Sequence, residues 1–261
     1  MKPTNIIIAT SLTLLLVSFW NRNELPRNID YQPGTLNEPS QAPTPKEPFN
    51  TKFNDVDYLI EPEYDYDLQG VVVSFRHHDK NSRMHLQAND HLNMMDVCVI
   101  WGGNATNRLI HKFDFWNGVF TCNVKTSDQE AWESFSMNEL SNNHLISDNE
   151  YIREDVSKIR IGDQIRVRGW LAGYKSPLGG IRGTSTTRDD TGDGACETIF
   201  VSKFDIVQPA TSYWRISMYA SMVLLIGGLL FHFRQPYRPH KPIKSDVKLS
   251  HTIIISKEDL L

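Results

Sequence analysis

Apolar and polar positions divide this chain into distinct stretches. Residues 6–20 and 216–233 are continuous apolar runs without Asp, Glu, Lys or Arg, whereas between about 67 and 207 apolar residues alternate with polar ones or come in short bursts. Such runs read as helices of membrane-crossing type, and the period-two stretch between them reads as strands. The first run is about 15 residues, slightly under the roughly 20 that cross a bilayer core as helix. The second is longer once Tyr213 and Trp214 are included, and its Gly227-Gly228 pair suits close helix packing. A transmembrane anchor over 1–21 and a second transmembrane helix over 212–233 are expected. A cleaved signal peptide competes for the first run, but Asn21-Arg22-Asn23-Glu24 lacks the small-x-small cleavage pattern and no lipid-accepting Cys follows.

Within the middle stretch, residues 70–75, 94–101, 118–124, 164–171, 181–187 and 197–207 read as strands. Ser127-Asp128-Gln129-Glu130 has the capping-box pattern ahead of Ala131, Trp132 and Phe135, so a helix is expected there. A second helix follows Asp148, with Ile152, Val156 and Ile159 on one face, and Gly162-Asp163 ends it. In 164–171, Ile165, Val167 and Leu171 point the same way, and Gly169 permits bending. The expected fold class is mainly β with a helical insertion (α+β), a small, curved, OB-like β-barrel over 67–208 between two transmembrane helices. Residues 22–66 hold Pro33, Pro39, Pro43, Pro45 and Pro48 among Asn, Glu and Gln, which predicts a solvated Pro-rich linker.

Charge then orients the chain. Arg234, Arg238, Lys241, Lys244 and Lys248 follow the second run, whereas Arg22 and Arg27 after the first are offset by Glu24 and Asp30, and Lys2 precedes it. Cations near a span stay on the cytoplasmic side. A two-pass protein of a bacterial inner membrane is expected, with both termini cytoplasmic, the linker and the main domain periplasmic, and 234–261 a basic cytoplasmic tail. The formal charge of −4 gives no support for nucleic acid as the main partner. The expected partners are the lipid bilayer and a membrane or periplasmic protein. Cys98, Cys122 and Cys196 all lie in the part expected outside, where disulfides persist, and their pairing stays open.

Candidate chemistry concentrates in three places. In 188–197 the spacing from Asp189 through Thr191 and Asp193 to Gly194 matches the first half of a calcium loop, because alternate oxygens and a glycine turn wrap a hard cation. The residue that should supply the bidentate carboxylate is Phe200, which excludes an EF-hand. Asp189, Asp190, Asp193 and Glu197 are the metal candidates, a divalent cation is the cofactor they suggest, and a polar hairpin turn is the plainer alternative. His77, His78, His85, His91, His111 and His144 lack the spacings of a zinc site, and adjacent His77 and His78 point to opposite faces of a strand. Cys196 as nucleophile with His144 as base, oriented by one of the loop aspartates, would form a catalytic triad. Asn143, Arg188, Trp101 and Trp170 are the ligand-binding candidates. Aromatic residues at Trp101 and 113–116 suit a sugar or peptide surface, or equally a barrel core.

Asp96, Trp101-Gly102, residues 141–146, Gly162-Asp163, Gly169 and residues 187–197 together resemble a family of uncharacterised bacterial membrane-anchored proteins, over about 68–207. The resemblance implies no activity. It directs attention to the Asn143-His144 segment and the loop from Arg188 to Glu197. The leading expectation is a non-enzymatic binding or assembly module for a partner protein or small ligand. A membrane-tethered hydrolase using Cys196 and His144, or a cation-dependent domain, are the alternatives.

Overall fold

The computed structural model describes residues 3–27, 29–78, 90–118, 120–176, 181–187 and 196–236. The elements in chain order are α1 (Pro3–Asn21), β1 (Ser40–Pro43), β2 (Phe49–Phe53), β3 (Val56–His77), β4 (Asn93–Ile100), α2 (Gly102–Thr106), β5 (Asp114–Asn117) and β6 (Cys122–Lys125). They continue with α3 (Gln129–Glu133), β7 (Leu140–Ile146), α4 (Glu150–Ser157), β8 (Gln164–Lys175), β9 (Ile181–Arg182), β10 (Glu197–Gln208) and α5 (Tyr213–Arg234). The chain is mainly β, with a mixed sheet, helices, and an apolar helix at either end.

Pairing runs from β3 to β4, β7, β10 and β8, and β8 pairs again with β3. The β7–β10 pair is parallel and the others on this path are antiparallel. β1 and β2 add to β3, β9 adds to β8, and β5 pairs with β6 in a separate two-stranded sheet. β3 serves so many partners because it is 22 residues long and pairs on both edges, and its register slips twice, between Pro62 and Tyr64 against β8 and between Val72 and Ser74 against β4. Such slips bend a strand and increase its twist. At Gly169 a Cβ would stand 2.0 Å from the Phe200 carbonyl oxygen, so only glycine lets β8 and β10 approach there.

Alternation on the strands builds the core as the sequence predicts. Ile165, Val167 and Leu171 of β8 join Leu68, Val72, Val97, Val99, Leu145, Ile199 and Val201 in one buried cluster. Arg166 and Arg168 on the other face pair with Asp67 and Asp205. Each fully buried aliphatic side chain contributes roughly 1.5–3 kcal/mol. α4 adds Val156, and Ile159 follows it into the cluster; the helix begins at Asn149, whose side chain accepts from the Tyr151 and Ile152 amides. The insertion 101–139 covers the outer side of β3 and β4, packing Ile110, Phe113 and Ala131 on Val71, Val73 and Cys98. A Cys98–Cys122 disulfide holds it there, leaving Cys196 as a free thiol.

Some segments depart from the pattern-based expectation. Where proline content predicts a linker, β1, β2 and the first half of β3 enter the sheet. Pro43 ends β1 and Pro62 lies at a register slip, places where a missing N–H is tolerated. Residues 30–35 are also bound to the sheet: Gln164 Oε1 accepts from the Gln32 amide and Thr35 Oγ1, and its Nε2 donates to the Asp30 carbonyl. The cap of α3 is Asp128 rather than Ser127, its Oδ1 accepting from the Ala131 amide. The strand expected over 118–124 begins only at Cys122, because Phe120 sits at a φ of 58°. Only Ile181 and Arg182 of the stretch 181–187 pair in a strand.

α1 and α5 lie against one another through small residues. Thr4, Ser11 and Ser18 of α1 are buried at seven-residue spacing, Ser18 Oγ donates to Ser217 Oγ at 3.0 Å, and Gly228 admits Ile8. At 1.5 Å per residue the helices are about 28 and 33 Å long, enough to cross a hydrocarbon core. Both are apolar enough for this as well. The helix pair joins the β domain through a tight seam. Trp214 Nε1 donates to Glu24 Oε2 at 2.9 Å, Arg215 donates to the carbonyls of Arg22 and Ile161, and Asp163 Oδ1 accepts from the Ala210 amide at 2.7 Å.

Candidate functional site

A carboxylate in the middle of an apolar strand defines the site. Asp96 stands among Met94, Met95, Val97 and Cys98 on β4 and is fully buried. Its register partner on β7 is His144. His144 Nδ1 lies 2.5 Å from Asp96 Oδ1, and His78 Nε2, just past the end of β3, lies 2.7 Å from Asp96 Oδ2. Asn93 Nδ2 donates to Oδ1 at 3.2 Å. Three segments that are distant in sequence therefore meet at one carboxylate.

Electrostatics follow from this packing. Burial would push the Asp96 carboxyl up, but the hydrogen bonds from His144 and His78 outweigh it and hold the group far below the usual carboxylate range. Burial lowers the pKa of His144, and the neighbouring Asp96 offsets part of that shift. An ionised carboxylate only accepts, so the neutral His144 carries its proton on Nδ1. Asp96 thereby fixes the tautomer and the ring orientation of His144, as the acid does in an acid–histidine dyad.

Phe120 lies beside this cluster in a left-handed backbone conformation that a bulky residue adopts only under constraint. Its ring is 5.8 Å from that of His144 and 5.9 Å from that of His78, and the Arg182 guanidinium lies 4.0 Å from its centroid. The backbone is held by Asn142 Nδ2, which donates to the Phe120 carbonyl at 3.0 Å. Asn142 Nδ2 also donates to Cys196 Sγ at 3.2 Å, and the thiol donates to the same Phe120 carbonyl at 3.4 Å. Ser74 Oγ to Asn117, and Asn117 to Asn142, continue this network onto β5 and β3.

The predicted site residues are divided by this geometry. His144 is central, but among the described residues the Cys196 thiol bonds Asn142 and Phe120 rather than His144. Burial pushes the Cys196 thiol up, which keeps it protonated and weakly nucleophilic. Asn143, next to His144, turns the other way and bonds Ser141 Oγ and the Val97 carbonyl. Trp101 is a core residue, 3% exposed. Trp170 packs on Phe49 and Phe200, with the Lys46 ammonium 5.4 Å from its ring. Glu197 is buried at the start of β10 opposite Asn143. Arg188, Asp189, Asp190 and Asp193 lie outside the described residues. Among the described residues no group of three His, Cys, Asp or Glu side chains is disposed to hold a metal.

Asp96, His78, Asn142, Phe120 and Arg182 carry no functional assignment from the sequence. Asp96 had a signal, since a lone carboxylate inside an apolar strand must find buried partners. Nothing local marks Phe120 or Arg182. The chain has no match among protein-family models, curated proteins or solved structures.

Proposed function

We propose that the chain is a membrane-tethered binding or assembly module, an OB-type barrel carried on a two-helix anchor. The observation that supports this best is the ring of pairings β3–β4–β7–β10–β8–β3 with its parallel β7–β10 step and α4 between β7 and β8. In OB-type barrels, ligands meet the face of the second and third strands and the two adjoining rim loops. The corresponding strands here are β4 and β7, which are buried along almost their whole length, the outer side of β4 under the insertion 101–139, so we place the partner instead at the exposed edge that β9 adds to β8. The buried His78–Asp96–His144 cluster ties the end of β3 to β4 and β7 beside Phe120 and so holds these strands together.

The cations after α5 favour cytoplasmic termini and a periplasmic domain in a bacterial inner membrane. The Cys98–Cys122 disulfide agrees with an oxidising compartment. A partner in that membrane or in the periplasm, protein or small ligand, is the reading we favour. A hydrolase built on Cys196 and His144 is the weaker one, because these two are not bonded to each other and the thiol is protonated.

Two measurements test this. Reporter fusions after Asn23, inside the domain and after Lys248 should give out, out and in; a cytoplasmic domain overturns the tethered periplasmic reading. In a deletion strain, Cys196→Ser should restore the lost phenotype, and Ile181→Glu, at a 74% exposed rim position, should not. A folded, abundant Cys196→Ser protein that fails to complement favours the hydrolase.

A further inference from the structure

Where α1 meets the β domain there is a cleft of about 560 Å³, within the range of small-molecule sites. It lies between the last turn of α1 and β5, and none of His78, Asp96 and His144 lines it. Trp20, Phe113 and Phe115 give it an apolar side. Its polar lining carries both signs, with Arg27 and His111 as N–H donors and Glu24 and Asp114 as carboxylates. The hydrogen bond from Trp214 Nε1 fixes Glu24 in place.

We propose that this cleft binds the head group of a zwitterionic phospholipid, with the phosphate toward Arg27 and His111 and the ammonium toward Glu24 and Asp114. The proposal rests on the membrane-tethered reading above. A tryptophan at the end of a membrane helix sits at head-group level, so the cleft opens where phospholipid is the most concentrated amphiphile. Arginine binds phosphate through parallel N–H donors. A purely anionic head group would place its phosphate on Arg27 but bring no cation to Glu24 and Asp114. An uncharged sugar would leave Arg27 and Asp114 unmatched. A lipid satisfies both signs and lays its chains along the apolar side.

The test uses the full chain in nanodiscs of equal phosphatidylethanolamine and phosphatidylglycerol. Lipid retained on partial delipidation is identified by native mass spectrometry, and water-soluble glycerophosphoethanolamine is titrated in parallel. One phosphatidylethanolamine should be retained about tenfold over phosphatidylglycerol, and Arg27→Glu should lose about tenfold of that retention. Asp114→Lys should turn the preference toward phosphatidylglycerol. Both positions are exposed, so the variants should melt as the parent does, and Arg27→Gln replaces Arg27→Glu if that variant does not. Equal retention of both lipids, or Arg27 variants that retain lipid unchanged, overturns the proposal. Soluble head group binding as tightly as the lipid overturns it in favour of a free phosphoamine. A chain that enters no nanodisc overturns the tethered reading together with this one, whereas incorporation without lipid selectivity overturns the cleft alone.

Discussion

Replacing Asp96 by alanine removes the acceptor for two imidazoles at once. The carboxylate is fully buried and faces His144 at 2.5 Å and His78 at 2.7 Å. Losing one partner of a buried charged group destabilises a protein by about 3–5 kcal/mol. In a chain of this size 1 kcal/mol moves the melting temperature by about 2–4 °C, so Asp96→Ala should melt about 6–20 °C lower. Asp96→Asn isolates the charge. Its amide oxygen accepts from one ring and its NH₂ donates to the other after a tautomer change, so the loss should fall to about 1–2 kcal/mol. The assay is thermal unfolding of the full chain in detergent micelles, followed by tryptophan fluorescence. A pH series adds a second readout. The Asp96 carboxyl is held below its unfolded value, so its stabilisation is present above about pH 3.9 and is lost as pH falls below that. His144, lowered by burial, is neutral in the fold, so acidification below about 6.5 favours the unfolded chain. The parent should therefore lose stability from pH 7 to 5 and more steeply below 4, and Asp96→Ala should keep the first loss and show a shallower second. An Asp96→Ala protein melting within about 3 °C of the parent, or an Asn variant as damaged as the Ala one, would refute the role given to this cluster.

Three further outcomes are expected. At Phe120, glycine should be about 1 kcal/mol more stable than alanine, the reverse of the usual order, because the position is left-handed; equal melting temperatures would count against the strain. Removing the Cys98–Cys122 disulfide with a double serine variant frees a loop spanning 24 residues and should lower stability by roughly 3 kcal/mol, read from denaturant midpoints. Cys196, half-buried, should react with maleimide at neutral pH more slowly in the fold than after unfolding, and equal labelling rates in the two states would contradict its raised pKa.

Much of the fold was legible along the chain, because its signals are periodic. Ile165, Val167 and Leu171 face the core as their alternation requires, and the two long apolar runs became helices. The face of α4 was legible for the same reason. β1 and β2 were not, since prolines and polar residues there read as solvated linker, and their strand character comes from hydrogen bonding along β3. β7 escaped notice because Asn142, Asn143 and His144 break the apolar alternation. Their burial depends on partners 46 and 48 residues away in sequence, Val97 for Asn143 and Asp96 for His144. The site was legible in part for the same cause. His144 stood out as a chemical type, whereas its partners Asp96 and His78 are joined to it by topology alone. The thiol of Cys196, which the sequence sets beside His144 only as a chemical type, is met in the fold by Asn142.

Only residues 209–212 separate β10 from α5, and Asp163 holds that short connection. With α5 in a bilayer, the domain has no slack on which to swivel. If the domain is the binding module proposed above, it would meet a partner at one height and one heading, turning the search from three dimensions into two. Any tilt of the helix pair would then be inherited by the whole domain, so bilayer thickness itself would set the direction in which the module looks.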